Sequence, residues 1–580
     1  MIEHEYTPYH VMNRREFSIG TAASALALSL HASMIVTEAA STSDMASICP
    51  KSPPPARKLA VFDLRELTSY AADFRLSLHC LQGIVNRKQP CLYLIEDHYD
   101  ELWLDWLRKR GDIDSVETLE IGSVFARFLP EVGSMFITDP AIPASINVAT
   151  MLASIKSSLV ATPAIADQFN LSAGNYPDDN NVGYDLRRFH WKKDVDAYKW
   201  FFSKHEDQLS RAAVAMLDPA ASAVRDYLVA FKIPIVWISS FDDAAKNPQA
   251  DHDAELSFAR ELFLRWPTNI PCFGWPGNGV GREEGIGEWD GVLLASQCGK
   301  FEVCSGYDGY SPTVSNLTVH SGTQATLKQK SAIPVHLESG KVYVCFARSD
   351  GDGLNFLRHY YRKLFDDPNH GSVPLGWQIG ATASDTMPDI LDYYYRHARP
   401  GDCFMNALSG VGYIHEDSFA DAFPESQREK IIQEFIEISG RYRARIDATT
   451  LCTFAEMPPQ RLEALASIPG IQGVLANYGR THATTPENLL MVTGGKPVFR
   501  SVNAGPGEHT FTLEGRRQAV ATTVRQIREG TPQTRPFFLH VFLANWLISM
   551  DMVVGIASDL GPEYVVVRPD QLVALFHQSR

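Results

Sequence analysis

Eight apolar runs in the second half of the chain constrain its fold more than any other feature. They occupy residues 342–348, 375–380, 402–410, 449–455, 471–478, 497–504, 536–545 and 564–570. Most of the intervening segments have helical periodicity, as in "QREKIIQEFIEISGRY". Strands buried in a parallel sheet read as continuous apolar runs, and eight of them with crossover helices predict a (β/α)8-type barrel over residues 336–580. A seven-stranded or distorted barrel is the alternative.

The chain is too long for a single core, because hydrophobic cores stop growing near ~250–300 residues. From Leu59 onward, strand-like and helix-like segments alternate, which predicts an α/β N-terminal domain over residues 58–240. Residues 241–335 are less regular and predict an intermediate α+β region with a Gly-rich loop. Within that region, the stretch 297–322 is predicted to be a loop that carries aromatic residues.

The N-terminal segment, residues 1–57, has the pattern of a twin-arginine export signal followed by a linker. Arg14 and Arg15 precede Phe17 and a weakly hydrophobic stretch rich in Ala, Leu and Ser. That stretch contains His31, which disfavours a stable membrane span. The pattern predicts export to the periplasm or the extracellular space, with the twin-arginine machinery as a partner.

Several function classes are disfavoured by what the sequence lacks. The net charge is −15 and no long run of Lys and Arg occurs, which argues against nucleic-acid binding. Neither GxGxxG nor GxxxxGK[ST] occurs, and the 18 histidines include no HExxH or HxxxH pair. We therefore predict no cofactor and no metal site. The nine cysteines have no regular spacing, and those in apolar runs are expected to be buried.

Polar and aromatic side chains collect where the predicted strands end. In barrels of this type the active site lies at the carboxyl ends of the strands. The residues found there are Asp350, Asp352, Asp385, Ser409, Tyr413, His415, Glu416, Glu456, Tyr478, Asn545, Trp546 and Asp570. Polar residues also follow strands in ordinary turns, and "DGDG" is a good turn sequence by itself. The argument for a site therefore depends on their convergence on one face.

Carbohydrate chemistry suits this mixture of side chains. Sugars need carboxylates and amides as hydrogen-bond partners and aromatic rings as platforms, and glycosidic cleavage needs two carboxyl groups. We predict Asp350 and Asp352 as the functional pair, with Glu416 and Glu456 as competing acid/base candidates. The predicted substrate-binding residues are Ser409, Tyr413, His415, Asp385, Tyr478, Asn545, Trp546 and Asp570.

Several dispersed motifs resemble the GxGYxYP glycoside hydrolase family. "SGVGY" resembles the signature after which the family is named, and "SDGDGLNF" resembles a segment of its C-terminal domain. Upstream, "LQGIVNR", "PASINVATMLA", "YDLRRF" and "NLTVHSG" resemble stretches of its N-terminal region. The resemblance implies an exported protein with an N-terminal accessory region and a C-terminal catalytic-type barrel. His415 and Glu416 stand where the signature has Tyr-Pro, which replaces a fixed turn with an additional carboxylate.

The leading hypothesis is a glycoside hydrolase that acts on an extracytoplasmic poly- or oligosaccharide. The alternative is a non-catalytic glycan-binding protein on the same scaffold, and the changed residues His415 and Glu416 favour it. A carbohydrate esterase or lyase is a third hypothesis, but the sequence has no GxSxG nucleophile motif and no metal motif for it.

Overall fold

The computed structural model describes residues 47–67, 71–168, 185–222, 224–242, 247–277, 285–306, 314–454, 459–477, 489–502 and 512–580. The predicted export signal lies outside these residues. Residues Ile48–Arg580 form one compact unit. Within the described ranges, no helix is long and apolar enough to cross a membrane.

The first part of the compact unit alternates short strands and helices, as the sequence predicts. Its strands are β1 (Lys58–Asp63), β2 (Leu92–Ile95), β3 (Ser115–Thr118), β4 (Ser134–Ile137) and β5 (Ser158–Ala161). Its helices are α1 (Ala71–Val85), α2 (His98–Arg110), α3 (Ile121–Phe128), α4 (Ala144–Lys156) and α5 (Pro163–Gln168). The strands form two parallel sheets, one with the order β2-β1-β3 and one that pairs β4 with β5.

The middle part contains a third parallel sheet. The elements are α6 (Asp194–His205), β6 (Val214–Met216), α7 (Arg225–Ala230), β7 (Ile235–Val236), α8 (His252–Arg265), β8 (Ile270–Gly274), α9 (Glu288–Gln297), β9 (Lys300–Cys304) and α10 (Leu317–His320). The strand order is β7-β6-β8-β9, with every pairing parallel.

The prediction of a loop at 297–322 is wrong for its first residues. The five residues of β9 are buried and pair with β8 along their whole length. Gly and polar residues on either side of this short run obscured it in the sequence. The region predicted as α+β therefore continues the α/β pattern of parallel strands and helices.

The C-terminal part is built on one large sheet. Its strands are β10 (Val342–Arg348), β11 (Leu375–Ile379), β12 (Asp402–Asn406), β13 (Thr450–Phe454), β14 (Gly473–Asn477), β15 (Leu490–Thr493), β16 (Lys496–Arg500), β17 (Phe537–Leu543) and β18 (Tyr564–Val567). Its helices are α11 (Leu354–Arg358), α12 (Tyr360–Phe365), α13 (Ala383–Thr386), α14 (Pro388–His397), α15 (Glu425–Arg445), α16 (Pro459–Ala466), α17 (Leu513–Glu529), α18 (Met550–Asp559) and α19 (Pro569–Gln578).

Each of the eight apolar runs contains a strand of this sheet, and all eight strands pair in parallel. The order is β15-β16-β14-β13-β12-β11-β10-β17, and β18 also pairs with β10. The ninth strand, β15, pairs with β16 in the antiparallel direction. Strands β10, β11 and β12 are buried at every residue, as expected for a sheet covered on both faces.

The sequence-based barrel is not confirmed, because the hydrogen-bonded sheet does not close. Strand β18 pairs with β10 only at residues 342–345, and β11 pairs with β10 only at Ala347 and Arg348. Strands β18 and β11 therefore pair with different parts of β10, and neither pairs with its full length. Among the described residues, the isolated bridge between Ser501 and His540 connects the end of β16 to the middle of β17.

One contact between the middle part and the large sheet positions the candidate site. Glu302 on β9 and Tyr413, which follows β12, form an isolated antiparallel bridge. The Glu302 amide donates to the Tyr413 carbonyl at 2.8 Å, and the Tyr413 amide donates to the Glu302 carbonyl at 3.1 Å. The edge of the third sheet thus supports the loop after β12.

Candidate active site

Glu416 is buried at the carboxyl edge of the large sheet, in the loop "SGVGYIHED" that follows β12. Its Oε1 accepts a hydrogen bond from the Ser409 hydroxyl of the same loop. The Thr453 hydroxyl on β13 donates to the same oxygen at 2.6 Å. Two hydroxyl groups from different elements therefore hold this carboxyl group in one orientation.

The glycines of this loop are required by close approaches. Gly410 has a φ of +137°, and a Cβ there would lie 2.5 Å from the Ser439 hydroxyl oxygen on α15. A Cβ at Gly412 would lie 2.4 Å from the ring of Phe301 on β9. The loop passes between α15 and β9 with no room for side chains at these two positions.

The aromatic residues of the loop pack against α9 and its neighbours. Tyr413 is buried, and its hydroxyl donates to the carboxylate of Glu288 at 3.2 Å. The His415 ring meets the ring of Trp289 edge to face, with centroids 4.0 Å apart. Burial lowers the pKa of His415 to about 4, so the imidazole is neutral at neutral pH. Trp289 is 55% exposed and is the part of this cluster that a ligand can reach.

Asp350 and Asp352 lie in a tight loop directly after β10, and both are half-buried. Asp350 has a φ of +59°, in the left-handed region, and its carboxylate accepts from the Ser349 hydroxyl. A Cβ at Gly351 would lie 1.5 Å from the carbonyl oxygen of Gln378 on β11. The loop therefore packs directly on the end of β11, and both carboxylates retain access to solvent.

Asn545, which follows β17, connects the end of that strand to the end of β10. Its side-chain amide donates to the Ser349 carbonyl, and its backbone amide donates to the Ser349 hydroxyl at 3.2 Å. The next residue, Trp546, meets Phe356 of α11 edge to face at 6.1 Å. This arrangement brings an amide and an aromatic ring beside the loop that carries the two aspartates.

The loops after β10 and β12 share two neighbours, the end of β11 and Cys304 of β9. The Ala407 amide donates to the carbonyl of Ile379, and the Gly380 amide donates to the carbonyl of Gly351 at 2.6 Å, so the end of β11 contacts both loops. Cys304 also contacts both sides, since its thiol donates to the Asn355 side chain at 3.4 Å and it packs in one apolar cluster with Tyr413. We use the term rim site for Asp350, Asp352, Glu416, Asn545 and Trp546.

Asp385 follows β11 but is committed to other contacts. It forms an ion pair with Arg445 at 2.7 Å, and it accepts hydrogen bonds from the Tyr442 hydroxyl and from the Cys49 amide. The side chain is 1% exposed. These contacts attach the beginning of the compact unit to α15, and the structure does not bring Asp385 into the rim site.

Asp570 lies at the opposite edge of the large sheet. It forms a bidentate pair with Arg568 at 2.9 and 2.6 Å. Arg568 also donates to the carbonyl of Pro400, which precedes β12. The physical reason is that β18 pairs only with the first half of β10, so its carboxyl end does not reach the rim. Glu456 and Tyr478, the remaining predicted site residues, lie outside the described residues.

Glu302 is a buried carboxyl group that the sequence analysis did not select. Burial raises the pKa of Glu302 to about 8, so this side chain is protonated at neutral pH. It lies beside Cys272 of β8, and burial, together with Glu302, raises the pKa of that thiol. A single glutamate inside the short apolar run "KFEVC" was the signal that could have revealed it. Among the described residues, no cluster of His, Cys, Asp and Glu side chains could hold a metal ion.

Sequence comparison finds three domains of one family along the chain. The matches are described as "GxGYxYP_N 1st domain" for residues 58–128, "GxGYxYP third domain" for residues 211–322 and "GxGYxYP putative glycoside hydrolase C-terminal domain" for residues 340–577. The last of these contains the whole rim site. No sequence among curated proteins matches the chain.

Structure comparison finds the same fold in a crystal structure described as a "putative hydrolase" from Bacteroides thetaiotaomicron. The TM-score is 0.72 and the identity is 20%, over 92% of this chain and 97% of the other. A 4-alpha-glucanotransferase from Thermococcus litoralis matches at a TM-score of 0.27 and 13% identity, over 40% of each chain. A "putative polysaccharide deacetylase" from Mycobacterium smegmatis matches at 0.28 and 13%, over 43% of this chain and 96% of the other.

Proposed function

Because the chain carries three domains of the GxGYxYP family, we propose that it is a glycoside hydrolase that cleaves a poly- or oligosaccharide at the rim site. The observation that carries the proposal is the contrast between two kinds of carboxyl group. Glu416 is buried and oriented by two hydroxyl groups, whereas Asp350 and Asp352 are accessible on a rigid loop.

Glycosidic cleavage uses two carboxyl groups in unequal surroundings, one to protonate the leaving oxygen and one to act as base or nucleophile. Glu416 supplies one of these groups. Asp350 and Asp352 supply the other, with Asp352 as the attacking or activating group and Asp350 as its neighbour on the same turn. Asn545 offers an amide beside them, and the rings of Trp546 and Trp289 offer faces for the apolar sides of sugar rings.

The N-terminal segment supports the proposed location of the activity. Arg14 and Arg15 ahead of a weakly hydrophobic stretch match a twin-arginine signal, so we place the working protein outside the cytoplasm. A polysaccharide substrate is consistent with that location.

The test is the release of reducing ends from a broad glycan panel. The protein should begin at Ser47, because Ile48, Cys49 and Pro50 make contacts inside the compact unit. Asp352→Asn and Glu416→Gln should each reduce release at least about a hundredfold, as expected for acid/base groups. Asp559→Asn on α18 and Glu463→Gln on α16 are matched controls at exposed positions and should retain activity.

The two rim variants separate the roles of their carboxyl groups. Added azide should restore activity to the variant that lacks the base or nucleophile. Aryl glycosides with good leaving groups should restore activity to the variant that lacks the acid. Release that persists in both variants would contradict the proposal. Saccharide binding without release by the parent protein would favour the non-catalytic alternative.

A further inference from the structure

A cavity of about 470 Å³ lies in the N-terminal half of the compact unit, apart from the rim-site residues. It is lined by Asp73, Thr138, Asp139, Pro140, Pro143, Ile146, Thr162, Pro163, Ala164, Asp218, Pro219 and Ala220. Most of these residues follow the carboxyl ends of β4, β5 and β6. Ligands of open α/β sheets bind outside the carboxyl ends of the strands, and this volume is within the usual range for ligand pockets.

Thr138 is the residue that most directly indicates a ligand. It lies immediately after β4, is 2% exposed, and lines the cavity. Its backbone amide donates to the Ala161 carbonyl, but its hydroxyl makes no hydrogen bond with any described residue. Because the protein does not enclose this hydroxyl oxygen, it faces the cavity, where a ligand or water can supply its hydrogen-bond partner.

Two of the three aspartates that line the cavity are oriented by backbone amides of their own loops. Asp218 is 5% exposed, and its Oδ1 accepts from the Ala220 amide at 2.7 Å. Asp139 accepts from the Ala141 amide at 3.0 Å. Asp73, in the first turn of α1, also lines the cavity. Three aspartates from three different segments of the chain therefore line the cavity.

The composition of the lining selects a class of ligand. Among the described lining residues there is no Lys, Arg or His, which disfavours phosphates and other anions. The described side chains form no metal-binding cluster there. Carboxylates accept hydrogen bonds from sugar hydroxyls, and threonine hydroxyls both accept and donate them. The four prolines and Ile146 supply apolar surface for the C–H faces of a sugar ring.

We propose that this cavity is a second saccharide-binding site, which holds a neutral sugar unit without cleaving it. The choice of a saccharide over another polyol rests on the proposed function. The existence of the site rests on the cavity and on Thr138. A second site of this kind would retain a polysaccharide while the rim site acts on another part of the same chain.

The experiment is calorimetric titration of the chain from Ser47 onward, in a Glu416→Gln background that prevents turnover. The probes are maltotetraose, cellotetraose, xylotetraose and mannotetraose, with spermidine and calcium chloride as cationic probes. Ala220→Trp fills the cavity from an exposed position, and Ala212→Trp is the matched control before β6. Thr138→Val removes the hydroxyl group at nearly constant volume.

For at least one tetrasaccharide, we expect Ala220→Trp to abolish one binding site and Ala212→Trp to leave it. Thr138→Val should weaken the same site about fivefold, the effect of one hydrogen bond. Equal melting temperatures of the three variants would exclude misfolding as the cause. The proposal is overturned if no tetrasaccharide binds, if Ala220→Trp leaves binding unchanged, or if only spermidine or calcium binds in the cavity.

The outcomes distinguish this proposal from the proposed function. Loss of binding in Ala220→Trp, together with no reducing-end release by the parent protein, would retain the second site and reject the hydrolase. Reducing-end release with saccharide binding that is insensitive to Ala220→Trp would retain the hydrolase and reject the second site.

Discussion

The Thr453 hydroxyl donates a hydrogen bond to Glu416 across the gap between β13 and the loop after β12, at 2.6 Å. The contact joins a strand of the rigid sheet to the carboxyl group on the loop. Thr453 is therefore a positioning residue for Glu416, since it acts on the reaction only through that side chain.

Thr453→Val should lower kcat about tenfold and leave KM within about twofold, because one hydrogen bond to a reacting carboxyl group is lost. Steady-state kinetics on the best substrate of the glycan panel would measure this. Thr453→Ser should restore most of the activity. Thr450→Val is a matched control on the same strand, since the Thr450 hydroxyl has no hydrogen-bond partner among the described residues. An equal loss in both valine variants would contradict the role.

Trp289→Ala should raise KM about five- to tenfold with little change in kcat, if the exposed ring beside His415 holds a sugar. The ring is 55% exposed, so its removal leaves no large cavity. Phe241→Ala is a suitable control, because Phe241 is 71% exposed and contacts His252 elsewhere. Unchanged kinetics for Trp289→Ala would exclude this ring from the substrate path.

Local sequence patterns predicted the strands better than they predicted how the strands close. Apolar runs identify the eight parallel strands because both faces of the central ones are covered, as in β10, β11 and β12. Strand β15 is short and half-exposed, and it is joined to β16 by Gly494 and Gly495, so it has no such signal. Whether the sheet closes into a barrel depends on the register of its strands. The partial pairing of β18 with residues 342–345 cannot be read from the positions of the apolar residues.

The sequence predicted the position of a candidate-site residue only where the preceding strand alone determines that position. Asp350 and Asp352 follow β10 directly, and their loop is at the expected edge. Tyr413 also follows a strand, but its hydroxyl contacts Glu288 and its backbone contacts Glu302, both of which are distant in sequence. Asp385 likewise pairs with Arg445, 60 residues away, and no local pattern specifies that partner. Asp570 misses the rim because of the register of β18, which the sequence does not reveal either.

His415 should contribute to acid sensitivity of the fold. Burial lowers its pKa from 6.5 to about 4, so the unfolded chain binds a proton first as the pH falls. The contribution of the neutral ring to the free energy of unfolding is complete above pH ~6.5 and is lost as the pH falls from ~6.5 to ~4. His415→Gln should reduce the loss of unfolding free energy over that interval, by up to about 3 kcal/mol.

Chemical denaturation at pH 6.5 and pH 4 would measure this difference for the parent protein and the variant. His577→Gln on α19 is the control, because His577 is exposed. A pH dependence of the same size in the parent protein and in His415→Gln would show that the ring is accessible to protons in the folded protein.

The segment before β1 should stabilise the compact unit, although the sequence suggested a linker there. Cys49 is fully buried, its amide donates to Asp385, and the Tyr227 hydroxyl donates to the Pro50 carbonyl. A protein that begins at Lys58 should melt roughly 2–4 °C below one that begins at Ser47. Thermal unfolding of the two proteins in the same buffer would test this, and equal midpoints would mean that these contacts contribute nothing.

Glu302 should make the fold less stable as the pH rises. Burial raises its pKa from 4.5 to about 8, so the unfolded chain loses its proton first. Its contribution to stability is complete below pH ~4.5 and is lost as the pH rises toward 8. Glu302→Gln keeps the shape and removes the ionisation. The variant should therefore gain unfolding free energy relative to the parent protein, by a few kcal/mol, between pH 5 and pH 8.

Urea denaturation at the two pH values would measure that gain, and Glu463→Gln on the exposed face of α16 is the control. Because Glu302 pairs with Tyr413 through its backbone, the substitution should leave the loop after β12 in place. Activity of Glu302→Gln at pH 6 should therefore match that of the parent protein. A large loss at that pH would mean that the protonated carboxyl group takes part in the reaction.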